Sequence, residues 1–238
     1  MWWAGSRPVD VYLGTRAVVV CRGAEVSVKA SVAGFDAAME AASVHLRQDR
    51  SRQRLRVWLS GGLCQPFMVP LIAGVESRVE IQKIAATVAP VRTGLGDDCQ
   101  VWADSRKSAM GTLAVAMQKS RVARVLEQFA QHGRVVSLRP WWAEVLRARL
   151  AMPQPPGAVG VQDCDSLTVL AGVAGGFDAA SVITPLFDQQ SADAAWARAL
   201  LSGDAQPLTS WHARLVIEDR AATSFDGCTF GSLVDVAP

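Results

Sequence analysis

Val9-Asp-Val-Tyr-Leu-Gly-Thr-Arg-Ala-Val-Val-Val20 is echoed without gaps by Val159-Gly-Val-Gln-Asp-Cys-Asp-Ser-Leu-Thr-Val-Leu170. In each copy an apolar stretch runs into a short polar turn and out again into an apolar run, the pattern of two strands joined by a hairpin. Val9, Val11 and Leu13 alternate with Asp10 and Tyr12, which predicts one buried face, whereas Ala17–Cys21 is continuously apolar, which predicts burial on both. After the first copy come a strand over Val26–Val32, a helix over Asp36–Arg50 and a strand over Leu55–Leu59. After the second come Ser181–Leu186, Ser191–Leu201 and Ala213–Ile217 in the same roles. The order strand, turn, strand, strand, helix, strand is thus written twice, which predicts a duplicated α/β fold.

Composition bounds the chemistry. The 238 residues are 50% hydrophobic, enough for a sizeable core, and the net charge of +2 gives no strong attraction to a nucleic acid. Five cysteines, Cys21, Cys64, Cys99, Cys164 and Cys228, are odd in number and contain no Cys-x-x-Cys pair, which argues against a disulfide framework and a structural zinc site. No apolar stretch reaches the roughly 20 residues of a membrane span, and the N-terminus lacks a leader pattern. A soluble, cytoplasmic protein is the expectation.

Between the copies lies an insertion with its own elements: a helix over Val75–Val88, paired strands over Gln100–Asp104 and Thr112–Gln118 around Arg106-Lys107-Ser108, and a helix capped by Ser120 and stopped by Gly133. Val122, Val125, Leu126 and Phe129 fall on one face of that last helix. A strand over Val135–Leu138 and a helix over Trp142–Leu150 follow. Asp36 is the expected N-cap of the first helix. The prolines of Met152-Pro-Gln-Pro-Pro-Gly157 cannot continue a helix and mark the boundary between lobes. The expected domains are a first lobe over 1–151, with an inserted subdomain at about 63–134, and a shorter second lobe over 158–238.

The strong sequence signals of common catalysts are missing. Gly-x-Ser-x-Gly, His-Glu-x-x-His and the P-loop do not occur, and His45, His132 and His212 read as helix-end or surface residues. Ser60-Gly61-Gly62 reads as a turn after a strand, and its glycines could also cradle an anion. Trp58, Trp102 and Trp196 read as core, Trp2-Trp3 as folding back on the sheet or meeting a partner, and of Trp141-Trp142 one is expected to be buried and the other exposed.

A strand-strand-strand-helix-strand unit, duplicated with an insertion in the first copy, resembles the actin-like ATPase superfamily, whose fold is a duplicated ribonuclease H-like unit. Within it the chain is similar to PilM-type pilus-assembly proteins and to the cytoplasmic domain of the type II secretion protein GspL. That family carries Asp-x-Gly at the first hairpin turn, where the glycine admits phosphate to backbone amides and the carboxylate holds a metal or its water. Here Tyr12 stands at the aspartate, while Gly14 and Thr15 fit the rest of the turn. The second copy has Gln162-Asp163-Cys164 in that register, with Thr168 at the threonine that often follows. Asp163 and Asp165 sit nearby, but on a strand a one-residue displacement turns a side chain to the opposite face. Gly14, Thr15 and Thr168 are therefore vestigial phosphate-turn candidates, and no catalytic residue, cofactor or metal is expected.

The resemblance implies a non-catalytic scaffold, cytoplasmic and peripheral at the inner membrane, in a type IV pilus or type II secretion platform. Its expected partner is a membrane protein's cytoplasmic tail, docking near the helices Val75–Val88 and Ser120–His132. An assembly ATPase and a second copy of the chain are further partners it allows; nucleic acid is not expected. An ATP-binding ATPase that regulates pilus assembly is the alternative within the fold. A metal-dependent nuclease is another, with Asp10 and Glu40 as two carboxylates and no third, because Leu55–Leu59 ends in Ser60-Gly61-Gly62.

Overall fold

A computed structural model of the chain describes residues 8–23, 25–47, 53–75, 77–104, 111–150, 158–173, 176–183, 189–202, 210–216 and 232–235. Trp2-Trp3, Arg106-Lys107-Ser108 and Met152–Gly157 lie outside the described residues, as does the side chain of His212.

The first copy forms a sheet of β1 (Val9–Leu13), β2 (Ala17–Arg22), β3 (Glu25–Ser31), β4 (Gln53–Leu59) and β8 (Gly133–Pro140) in the order β3-β2-β1-β4-β8. The second copy repeats it with β9 (Ala158–Gln162), β10 (Leu167–Val173), β11 (Gly176–Ile183), β12 (Ser210–Val216) and β13 (Ser232–Asp235) in the order β11-β10-β9-β12-β13. The hairpin strand leads both sheets: β1 runs antiparallel to β2 and parallel to β4, and β9 runs antiparallel to β10 and parallel to β12. The sheets differ at the last strand, since β8 joins β4 in parallel while β13 joins β12 antiparallel. A third, antiparallel sheet is β5 (Gln65–Pro70), β7 (Gly111–Gln118) and β6 (Cys99–Ala103), in the order β5-β7-β6.

All five residues of β1 are buried, so the alternation expected there is overridden: a central strand covered on both faces hides Asp10 and Tyr12 as well as the valines. Helix α1 (Phe35–Leu46) lays Phe35, Ala38, Met39, Ala42 and Leu46 on the sheet at helical spacing. Its N-cap is Gly34, at φ 103° and without a side-chain cap, rather than Asp36, which instead pairs with Arg124 at 2.7 Å. Helix α2 (Arg78–Thr93) begins later than expected because Ser77 and Glu80 form a reciprocal capping box, and it covers the third sheet through Ile81, Ala85 and Ala89. Helix α3 (Lys119–Ala130) starts one residue before Ser120 and buries Val122, Val125 and Phe129, while Leu126 is 45% exposed. Gln128 Nε2 ties α3 to α1 by bonding Ser43 Oγ at 2.9 Å and the Met39 carbonyl at 3.2 Å. Gly133 opens β8 rather than only ending the helix.

The lobes share a core. One apolar cluster runs from the first sheet through Trp141, Trp142, Val145 and Leu146 of α4 (Trp141–Leu150) to Val159, Val161 and Leu170. Helix α4 packs on β8 and β9, so Trp141 and Trp142, 3% and 1% exposed, are both buried rather than one of the pair. Trp58 and Trp196 are core as expected; Trp102, on edge strand β6, is 37% exposed. Helix α5 (Gln189–Ser202) closes a smaller cluster with Ala192, Ala195 and Trp196.

Candidate functional site

Because β1 and β9 hold equivalent places in the two sheets, their hairpin turns meet. In the first lobe the Gly14 amide bonds the Ala17 carbonyl at 2.9 Å, leaving Thr15 at the turn, and Ser60 continues the ladder beyond β4 by bonding the Leu13 carbonyl at 2.9 Å. In the second, the Asp163 amide bonds the Ser166 carbonyl at 2.9 Å. Asp163 Oδ1 accepts from the Ser166 amide at 3.1 Å, the Ser166 hydroxyl at 2.7 Å and the Asp165 amide at 3.3 Å, so the carboxylate shapes its own turn.

The acidic turn is then gripped by the first lobe. Asp165 Oδ2 accepts from the Thr15 amide at 2.5 Å, the Thr15 hydroxyl at 2.7 Å and the Ser60 hydroxyl at 3.0 Å. Asp163 Oδ2 accepts from the Gly61 amide at 2.8 Å. The phenol of Tyr12 lies 3.1 Å from Cys164 Sγ. Glycine is required where the turns touch. A Cβ on Gly14 would lie 2.6 Å from Cys164 Sγ, and one on Gly61 would strike Thr168 Oγ1 and lie 2.6 Å from Ser166 Oγ.

The electrostatics follow from packing two carboxylates where water is excluded. Burial, then the charge of Asp165, pushes Asp163 well above the ordinary carboxylate range, against the opposing pull of the Gly61 amide and the Ser166 hydroxyl. Burial, then the same two carboxylates, raises the thiols of Cys64 and Cys164 and keeps them protonated. Tyr12 is raised chiefly by burial as well. The site therefore presents neither a thiolate nor a phenolate nucleophile at neutral pH. Asp163, Cys164 and Asp165 offer ligand atoms within 4.8 Å of one another, and four donors of the first lobe face one oxygen, Oδ2, of each carboxylate.

Gly14, Thr15 and Thr168 all come to this interlobe contact, the first two on the gripping turn and Thr168 beside Gly61, its hydroxyl buried without a partner. Asp163 and Asp165 are the residues that the register argument passed over. Strand alternation ends with β9 at Gln162, and on the turn beyond it both carboxylates reach the first lobe. Ser60 and Gly61 do hold carboxyl groups, and these are the chain's own: Ser60 donates to Asp165 and Gly61 to Asp163. Asp10 and Glu40 do not form a carboxylate cluster. Asp10 is held by Arg56 at 2.7 and 2.6 Å and by Trp58 Nε1 at 2.8 Å, and Glu40 is exposed on α1.

No protein-family model matches the sequence, and no curated protein matches it. Solved structures do. The cytoplasmic domain of EpsL, an inner-membrane component of the type II secretion system of Vibrio cholerae, is 16% identical with a TM-score of 0.50, over 82% of this chain and 75% of that one. A protein of actin-like ATPase fold and unknown function from Bacteroides thetaiotaomicron is 9% identical with a TM-score of 0.51, over 83% and 77% of the two chains. The fold is that of the actin-like ATPases. A PilM-PilN type IV pilus biogenesis complex is a further match, at 19% identity and a TM-score of 0.48 over 82% of this chain and 66% of that one. The actin-like fold explains why the two hairpin turns face each other. It does not by itself say what they bind. Among the described residues no helix is long and apolar enough to cross a membrane.

Proposed function

We propose that this chain is a non-catalytic actin-like scaffold of a bacterial type II secretion or type IV pilus inner-membrane platform, held at the membrane by docking on a partner's cytoplasmic tail. The observation that carries the reading is the filled interlobe contact. The donors that could receive a nucleotide's phosphates are bonded to Asp163 and Asp165 instead, and Tyr12 stands where a metal-holding carboxylate is expected. The likeness to the EpsL cytoplasmic domain supports the choice of platform. In this reading the lobes are closed by side chains of the chain itself, so the shape offered to a partner does not depend on a nucleotide cycle. Co-purification with an inner-membrane platform protein that carries a cytoplasmic tail tests the docking: removing that tail is expected to abolish it, and unchanged co-purification would overturn the reading.

A further inference from the structure

We infer that the groove between the end of α3 and the starts of β4 and β8 is the docking site for an acidic, extended peptide of a protein partner. The inference rests on the docking reading above and names the chemistry of the tail. The groove encloses about 590 Å³ and is lined by Gln53, Arg54, Leu126, Ala130, Arg134 and Val135.

Three features point to this occupant. Arg54 and Arg134 are partners in the parallel register of β4 and β8, and both are exposed. Like charges side by side on neighbouring strands repel, and the ion pairs among the described residues join Arg56 to Asp10 and Arg124 to Asp36, leaving these two guanidinium groups without a carboxylate. An anionic segment laid along the groove would relieve that repulsion and gain charge-assisted bonds. Next, Gln53 is 6% exposed, yet neither its Nε2 nor its Oε1 has a hydrogen-bond partner. A carboxamide wants one acceptor and one donor, and a peptide group supplies both, whereas a phosphate supplies acceptors only. Finally, β8 is the edge of its sheet among the described residues, and Leu126, 45% exposed, lines the groove with Ala130 and Val135, so an extended segment finds both a strand edge and an apolar wall.

The test uses the full chain and a fluorescent peptide of about twelve residues alternating Glu and Leu, against a Lys-Leu counterpart. The Glu-Leu peptide is expected to bind at least about tenfold more tightly, and Arg54→Glu/Arg134→Glu to lose about that factor. Arg54→Gln/Arg134→Gln serves as the milder variant should charge reversal impair folding. Gln53→Leu separates recognition from structure: it is expected to raise the melting temperature, by removing an unsatisfied amide, and yet to weaken the peptide. Unchanged peptide affinity in both arginine variants overturns the inference. So does stronger arginine-dependent binding of an oligothymidine strand, or of phosphatidylglycerol vesicles, than of the Glu-Leu peptide. If tail truncation abolishes co-purification but the arginine variants leave it intact, the groove is wrong and the docking reading stands.

Discussion

Thr15 and Asp165, 150 positions apart, meet at one oxygen: the threonine's amide and hydroxyl both donate to Asp165 Oδ2, at 2.5 and 2.7 Å. Ser60 adds a third donor at 3.0 Å. One buried carboxylate of the second lobe thus organises two loops of the first. Asp165→Ala would strand all three donors and is expected to cost about 2–4 kcal/mol in urea unfolding. Asp165→Asn keeps an acceptor and removes the charge facing Asp163, so its expected cost is under about 1 kcal/mol. Equal losses for the two variants would contradict this account of the contact.

The same pair sets a pH dependence. Asp163 is raised by burial and then by Asp165, so the folded state holds a proton that the unfolded chain releases. The stability from this proton is complete below the ordinary carboxylate value of 3.8 and is lost as pH rises through the raised value of Asp163. Urea midpoints measured across that window are expected to fall with rising pH. In Asp165→Asn the fall is expected to be smaller and to occur at lower pH. A variant profile that parallels the wild type would show that Asp165 does not couple to Asp163.

Gly61→Ala tests the closeness of the turns. Its methyl group would meet the Thr168 and Ser166 hydroxyls, and overpacking of this kind costs about 1–3 kcal/mol. Thr168 Oγ1 has no hydrogen-bond partner, so Thr168→Ala gives up no bond there. The Gly61→Ala/Thr168→Ala double variant is therefore expected to be less destabilised than the sum of the two single variants, as a double-mutant cycle would measure.

Arg56→Ala would leave Asp10, 1% exposed, without its bidentate partner. A stranded buried carboxylate costs about 3–5 kcal/mol. Replacing both partners, as in Asp10→Asn/Arg56→Met, is expected to cost less in chemical denaturation than Arg56→Ala alone.

What the sequence revealed and what it hid follows from where each signal comes from. The hairpins were legible because their apolar spacing is local and occurs twice. Strand β5 was not, because Pro66 and Pro70 argue against a strand; they are accommodated on a strand that, among the described residues, is an edge paired with β7. The burial of both Trp141 and Trp142 depends on α4 lying between β8 and β9, which helix periodicity cannot convey. Asp163 and Asp165 gave a misleading signal because the two-residue period of a strand was extended past the strand's end. Their true partners lie on the Thr15 turn and at Ser60-Gly61, and only the pairing of the two lobes brings them together.

The central claim, that the chain's own acidic turn occupies the place of a nucleotide, is tested most directly by thermal unfolding in millimolar Mg-ATP. A ligand at a hundred times its dissociation constant stabilises a folded protein by about 2.7 kcal/mol, which for a chain of this size raises the melting temperature by roughly 5–10 °C. The account predicts no shift for the wild-type protein. A rise of that size, dependent on both magnesium and ATP, would contradict it.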